Sequence, residues 1–428
     1  MIECAPAASV RGALALPGDK SISHRALLVA AVCDDETVVR GFGRSLDTES
    51  TLGAVRALGA TVTDDAPMSL RVGGVGLGGL QEPGSAIDCG NAGTLARLLP
   101  GLLAGQEGRA FELTGDESLC SRPMERVTEP LSAMGAVVAT TEGRLPLHIE
   151  GAHLRGIEHE PAVASAQVKS CLLLAGLNAD GQTTVIEPVP TRDHTERMLR
   201  MAGAAVSVRP GRISVTKAER LSLGAVDVPG DFSAAAPFLV AATLLPGSEL
   251  ILRGVGVNPS RTGLLDALER MGARISVFNR RTQSGEPVAD IEVTHAELVA
   301  TEIAATEVPR MIDELPLFVL AAAMARGTSR VRGAAELRAK ESDRIETVAA
   351  SLRSIGLHVR PAEDGFVARG VPARPRGGEI GAAGDHRVAM LAAVAGLVSQ
   401  EGVRVEGAEA AAVSFPGFYE LLDSLAHR

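Results

Sequence analysis

Six copies of one pattern run through this chain, and they constrain its fold more than any other feature. Each copy has a polar, small-residue lead-in, an Ala/Leu-rich helix, a polar turn and a short strand. They read SISHRALLVAAVCDDETVVRG, NAGTLARLLPGLLAGQEGRAFELTG, SAQVKSCLLLAGLNADGQTTVIEP, DFSAAAPFLVAATLLPGSELILRG, DELPLFVLAAAMARGTSRVRG and DHRVAMLAAVAGLVSQEGVRVEG, and successive copies end 66 to 79 residues apart. Between them lie amphipathic helices that close on Gly59, Gly135, Gly203, Gly272 and Gly356, where a helix C-terminus takes a left-handed residue. FPGFYELLDSLA supplies a sixth such helix at the end of the chain. This period exceeds that of the common solenoid repeats. Each unit holds two helices and several strands, so the six units have to bury their Ala-rich helices against one another.

The core those helices form is aliphatic, since the chain has no Trp, one Tyr and nine Phe. A stacking surface for nucleic-acid bases needs aromatics, and a net charge of −10 disfavours a polyanionic partner such as nucleic acid. Any bound anion therefore sits in a local pocket. Five scattered cysteines without a CxxC pair fit reduced thiols in the cytoplasm rather than a disulfide framework. No basic segment followed by an apolar one marks a signal peptide, and the longest apolar runs, about a dozen residues, are too short to span a bilayer. These features predict a cytoplasmic protein with neither nucleic acid nor membrane as partner.

The residues that lead into the six core helices carry the chemistry. They are Lys20, Ser21, Ser23, His24 and Arg25; Asn91, Gly93 and Thr94; Ser165 and Gln167; Asp231 and Ser233; Asp313 and Glu314; and Asp385, His386 and Arg387. N-capping accounts for Ser, Thr, Asn and Asp at such positions. It does not account for Lys20, Arg25 or Arg387, which face the positive end of a helix dipole. Nor does it account for Gly93, which costs helix stability but lets backbone N–H groups approach a ligand closely. Helix N-termini supplemented by cations form phosphate and carboxylate sites. Arg122 precedes Pro123 in a loop leading into a helix, and ELRAKESDRIETV sets Lys340, Glu341 and Arg344 within one helical turn, Lys340 and Arg344 sharing a face. A solvated helix face is the plain alternative for that run.

Other motifs carry less. GVGLGG at 74–79 matches a dinucleotide fingerprint, but Pro83 and Gly84 follow and no helix starts there, so a turn between strands is expected. His148, His153 and His159 lack ligand spacing and a Cys companion, so no metal site is expected. Cys120, beside Arg122, reads as a bystander thiol.

LPGDKSISHRALL, GNAGTLARLL, SRPMERV, SAQVKS, RDHTERML, AKESDRI and GDHRVAM together resemble the enolpyruvyl transferases, in family order and over nearly the whole chain. The likeness is strongest to the branch that acts on shikimate 3-phosphate. It implies an inside-out α/β barrel of two domains, each of three βαβαββ units, with the active site in the cleft between them. The first domain would comprise residues 1–18 and 230–428, the second 19–229.

The implied reaction moves the enolpyruvyl group of phosphoenolpyruvate to the 5-hydroxyl of shikimate 3-phosphate, releasing phosphate, on the route to chorismate and the aromatic amino acids. It needs no metal and no cofactor, and the resemblance implies a monomer. By motif, Lys20, Ser21, Arg25, Ser165, Gln167, Arg192, Asp313 and Lys340 hold shikimate 3-phosphate. Lys20, Gly93, Arg122, Gln167, Arg344 and Arg387 hold phosphoenolpyruvate. Asp313 is the implied proton acceptor, with Glu341, Lys20 and His386 as partners in proton transfer. The chain departs from some members at Val413, where they carry Lys, and at Ala166 and Glu336, where they carry Ser and Asn. Two alternatives stand beside this reading: the sister activity on UDP-N-acetylglucosamine, which uses a loop cysteine, and a non-catalytic repeat scaffold.

Overall fold

The computed structural model of the protein describes residues 1–428. Apart from the single turn Glu117–Cys120 and three 3₁₀ segments, its helices are α1 (Lys20–Ala31), α2 (Leu46–Ala57), α3 (Gly93–Leu103), α4 (Glu125–Met134), α5 (Ala166–Gly176), α6 (His194–Met201), α7 (Phe232–Leu244), α8 (Gly263–Arg270), α9 (Leu315–Ala323), α10 (Arg344–Ser354), α11 (His386–Val398) and α12 (Phe418–Leu425). The odd-numbered helices are the repeated Ala/Leu segments. They are apolar around most of their circumference and correspondingly buried; every residue of α11 is enclosed. The even-numbered helices are amphipathic and cover the sheets. The five glycines that close them all adopt positive φ, between +90° and +111°, the left-handed conformation that ends a helix without a Cβ clash.

Six sheets accompany the helices. In four of them a short edge strand runs into an odd helix and pairs in parallel with the strand that leaves it. These pairs are Ile87–Asp88 with Ala110–Thr114, Glu158–His159 with Gln182–Ile186, Glu302–Ile303 with Gly327–Val331, and Gly378–Gly381 with Val403–Glu406. Parallel pairing needs such a helical crossover. In the first and fourth copies the strands that run into the odd helix are exchanged. Ser9–Ala15 runs into α1 yet pairs with Glu249–Gly256, which leaves α7; Ala225–Asp227 runs into α7 yet pairs with Glu36–Arg40, which leaves α1.

With this exchange the chain falls into two compact units. One comprises residues 1–17, 229–281 and 287–428, the other 18–228 with 282–286. The core of the first is built on α7, α9 and α11, which pack against one another; that of the second on α1, α3 and α5. Residues 282–286 are the tip of the hairpin Arg274–Gln283/Glu286–Thr294, and no signal in the sequence marks them out. In the second unit Glu286 accepts a hydrogen bond from His194 at 2.8 Å, and the Gly285 carbonyl accepts one from Arg197. No helix is long and apolar enough to cross a membrane.

Candidate active site

In the second unit the candidate side chains cluster at the N-terminal ends of α1, α3 and α5. Asp19 caps α1 by accepting from the Ile22 N–H at 2.9 Å, and Lys20 follows as the first helical residue. Its Nζ donates to Asp47 Oδ2 at 2.6 Å, the Lys20 side chain remaining 18% exposed. Asp47 is held near the start of α2, which is fixed by a Ser45/Thr48 capping box. One turn further along both helices, His24 Nδ1 meets Thr51 Oγ1 at 2.6 Å. Burial, then the neighbouring Lys20 and Arg25 charges, push the His24 pKa well below its usual value. His24 is therefore a neutral spacer between α1 and α2, and it adds no positive charge beside Lys20.

Arg25 is buried and oriented on three sides. Its Nε donates to Thr195 Oγ1 at 2.7 Å, Nη2 to Ser170 Oγ at 2.9 Å and Nη1 to the Ser21 carbonyl at 2.9 Å. Ser165 caps α5, accepting from the Val168 N–H at 3.4 Å, and Gln167 donates to Thr94 Oγ1 at 3.3 Å, which joins the starts of α5 and α3. Gly93 opens α3, whose N-cap residue Ala92 offers no side-chain hydrogen bond, so the helix end presents bare N–H groups. A Cβ at position 93 would lie 2.7 Å from Arg97 Nη1 and 3.3 Å from Arg122 Nη1. Arg122 is itself oriented by Asn91 Oδ1 at 3.0 Å and Ser118 Oγ at 3.1 Å. Arg192 lies half-buried in the loop leading into α6. Cys120 Sγ donates to the Gly115 carbonyl at 3.3 Å and packs, partly buried, against the core of this unit.

A buried ionic cluster stands behind α5. Lys169 Nζ contacts Glu187 at 2.9 Å and Glu196 at 2.8 Å, and only 1% of its side chain is exposed. Thr191 donates to Glu187. Burial raises the Glu196 pKa, and Lys169 only partly offsets that shift. Ser170, which follows Lys169, and Thr195, which precedes Glu196, are both partners of Arg25.

In the first unit the corresponding residues gather around Arg344. Its Nε and Nη2 donate to the two Asp385 oxygens at 2.8 and 3.1 Å, and Nη2 also reaches Glu341 at 2.5 Å. Asp313 stands 3.5 Å from Nη1. Burial alone would lower the Arg344 pKa, but Asp385 and Glu341 outweigh it and the net shift is upward. Asp385 caps α11 through the Arg387 N–H at 2.8 Å and accepts from Ser342 Oγ at 3.0 Å. One enclosed carboxylate thus places the Arg344 side chain and the Arg387 backbone together. Arg387 Nη1 reaches the Ser233 carbonyl at 3.4 Å, and His386 is buried beside it. Asp231 caps α7, and Arg261 ties Asp231 to Ser233, whose hydroxyl donates to the enclosed Glu314.

Burial would raise the Asp385 pKa, yet Arg344 holds it below the usual carboxylate range. A depressed folded-state pKa contributes stability above the unfolded value, about pH 4 for Asp, and loses it as the pH falls through the folded value. Thermal midpoints followed from pH 7 to pH 3 are expected to fall in the acid limb, and to fall less steeply in Asp385→Asn.

One local expectation is corrected here. Lys340, Glu341 and Arg344 do not occupy one helical turn. The 3₁₀ segment Ala335–Ala339 ends before Lys340, and α10 begins at Arg344. Asp343 stops the helix from extending backwards, because its side chain caps the Ile345 and Glu346 N–H groups. Lys340 lies 3.9 Å from Glu336, with 25% of its side chain exposed. Burial of its amine end lowers its pKa, and Glu336 and Asp313 oppose the shift. Asp47, Arg97, Ser170 and Thr195 complete the cluster of the second unit without having been singled out in the sequence, and Asp385, read there as a helix-start residue, also anchors Arg344. Val413 ends a 3₁₀ segment and supplies no charge.

A sequence model of the family described as EPSP synthase (3-phosphoshikimate 1-carboxyvinyltransferase) matches residues 4–422. A 3-phosphoshikimate 1-carboxyvinyltransferase of Geobacter sp. (strain M21) is 49% identical over 99% of this chain and 98% of its own. The EPSP synthase structure from Acinetobacter baumannii superposes with a TM-score of 0.88 at 41% identity, covering 99% of this chain and 97% of that one. The enolpyruvyl transferase NikO from Streptomyces tendae, at 19% identity and a TM-score of 0.79 over 99% of this chain and 96% of that one, shares the fold. The chain belongs to the EPSP synthase (3-phosphoshikimate 1-carboxyvinyltransferase) family.

Proposed function

We propose that the protein transfers the enolpyruvyl group of phosphoenolpyruvate to the 5-hydroxyl of shikimate 3-phosphate, releasing phosphate. The observation that carries this reading is the near-half identity to 3-phosphoshikimate 1-carboxyvinyltransferases along the whole chain. The helix-start clusters supply what two phosphate-bearing acids require. Lys20, Arg25, Arg122, Arg344 and Arg387 provide guanidinium and ammonium groups, and uncapped N–H groups at α3 add to them. Ser21, Ser165, Gln167, Arg192 and Lys340 complete the contacts to shikimate 3-phosphate.

The 5-hydroxyl oxygen adds to C2 of phosphoenolpyruvate while Asp313 accepts its proton and C3 is protonated to a methyl group. Elimination then removes a proton from that methyl, breaks the C2–O bond to phosphate and leaves the enol ether. Glu341 and Lys20, with His386 nearby, serve the C3 proton transfers. Each such transfer by a positioned group is worth about 10²–10⁴ in rate. The direct test is phosphate release from phosphoenolpyruvate with and without shikimate 3-phosphate. Release is expected only with both. Release with UDP-N-acetylglucosamine instead, or with neither acceptor, overturns the reading.

Two substitutions probe the parts. Asp47→Asn removes the carboxylate that orients Lys20, and loss of a charge-assisted hydrogen bond of this kind is expected to lower kcat/KM by about tenfold or more, with the thermal midpoint nearly unchanged. Steady-state kinetics beside a melting curve measures both. Gly93→Ala introduces a methyl group against Arg97 and Arg122. It is expected to raise the KM for phosphoenolpyruvate about tenfold or more, because small displacements of positioning groups are costly, while the KM for shikimate 3-phosphate stays constant.

A further inference from the structure

The sheet of Glu302–Ile303, Gly327–Val331, Gly365–Gly370 and His358–Ala362 carries on its outward face a groove of about 560 Å³, lined chiefly by Arg330, Arg353, His358, Arg360, Val367 and Arg369. The strand register creates it. Thr328, Arg369 and His358 lie abreast on three adjacent strands, and Arg330, Val367 and Arg360 form the next row. Alternation along a strand sends their neighbours Ser329, Phe366, Ala368 and Val359 into the core. Arg353 reaches the groove from the last turn of α10.

The charge in this groove is unbalanced. Four guanidinium groups face it, and one carboxylate, Glu302, pairs with Arg330 at 3.4 Å. Arg353 donates to the Ala349 carbonyl. Arg360 and Arg369 make no ion pair, although the protein as a whole carries a net charge of −10. Arg369 lies diagonal to Arg330 and to Arg360 across its two neighbouring strands, within reach of such long side chains, and the repulsion among these like charges costs stability until an anion enters. Every permanent cation lining the groove is Arg, whose planar fork matches phosphate oxygens two at a time.

Strands about 4.8 Å apart place Arg330 and Arg360, on either side of Val367, about 10 Å apart at the backbone. A ligand that satisfies both needs anionic groups spread over several ångströms, which a single phosphate lacks and a chain of linked phosphates has. The volume falls in the range of small-molecule sites. We propose that this groove binds a small oligophosphate, a ligand with two or three linked phosphates, at a site built from residues other than those that hold the two substrates.

Calorimetric titration of the whole protein with inorganic tripolyphosphate, pyrophosphate and orthophosphate tests this, with R360Q/R369Q beside the wild type. The expected result is wild-type affinity rising from orthophosphate to tripolyphosphate and weakening with salt. The double variant is expected to lose tripolyphosphate affinity at least tenfold, with kcat and both substrate KM values unchanged. Its thermal midpoint is expected to equal or exceed that of the wild type, since repulsion has been removed. Equal tripolyphosphate binding by both proteins overturns the proposal, as does tighter binding of an oligoglutamate peptide than of tripolyphosphate. Turnover measured on the same samples reports separately on the transfer reaction.

Discussion

Asp313→Asn is expected to lower kcat by about 10²–10⁴, the range for removing a positioned general base, and to leave the protein folded. Asp313 is half-buried, and its recorded contact to Arg344 is long, at 3.5 Å, whereas Asp385 and Glu341 hold the same guanidinium at 2.8 and 2.5 Å. Losing one of three carboxylates around that cation leaves it paired. Phosphate release under saturating substrates gives the turnover, and a melting curve gives the fold. A loss below tenfold would remove Asp313 from the role of proton acceptor. Glu341→Gln separates the two steps further, because the proposed reaction places Glu341 at the carbon rather than at the hydroxyl.

The second large effect concerns stability. Lys169→Met leaves Glu187 and Glu196 enclosed without their cation, and breaking a buried pair by removing one partner typically destabilises by about 3–5 kcal/mol. In a unit of this size each kcal/mol lowers the melting midpoint by about 2–4 °C, so a drop of about 10 °C is expected by calorimetry. The pH dependence identifies the cause. Carboxyls stranded in the interior have raised pKa values. Their protonated forms fit the fold, so the variant keeps most of its stability below about pH 4 and loses it as the pH rises through the raised values. Adding Glu196→Gln to Lys169→Met should recover part of the loss, which a double-mutant cycle measures. Arg25 is expected to suffer too, because its partners Ser170 and Thr195 neighbour the cluster.

The six core helices were legible because each repeats the same chemistry: a capping lead-in, an Ala/Leu body and a following strand. The five closing glycines were legible for the same reason, since only a left-handed residue ends those helices economically. Cations at the wrong end of a dipole drew attention to Lys20, Arg25 and Arg387, because such placements are unfavourable without a counter-charge, and Lys20 finds a counter-charge in Asp47. What the sequence hid is pairing at a distance. Lys20 and Asp47 are 27 residues apart on different helices, and Lys169 and Glu187 look like unrelated charges until α5 and its following strand are packed together. His24 could not be assigned from its neighbours; its meaning lies in Thr51 on another helix. The run at 340–344 misled for a local reason. Lys, Glu, Ser, Asp and Arg read as a solvated helical turn, and only the cap made by Asp343 shows where the helix starts.

The exchanged strands dictate an order of folding during synthesis. Residues 18–228 hold the odd helices of the second unit and the parallel partner of Glu36–Arg40, so that unit can acquire nearly all its contacts once residue 228 has emerged from the ribosome, while most of the first unit is still to emerge. The strand Ser9–Ala15 leaves the ribosome before the second unit does yet waits for Glu249–Gly256, and Ile2–Cys4 waits for Val403–Glu406. These are contacts of very high sequence separation, whose closure is intrinsically slow. Until then these two strands carry unpaired edges, which are templates for aggregation. The nascent chain is therefore most open to mispairing at residues 2–15 from their emergence until residues 249–256 and 403–406 follow, and a chaperone that covers these strands protects it over that interval.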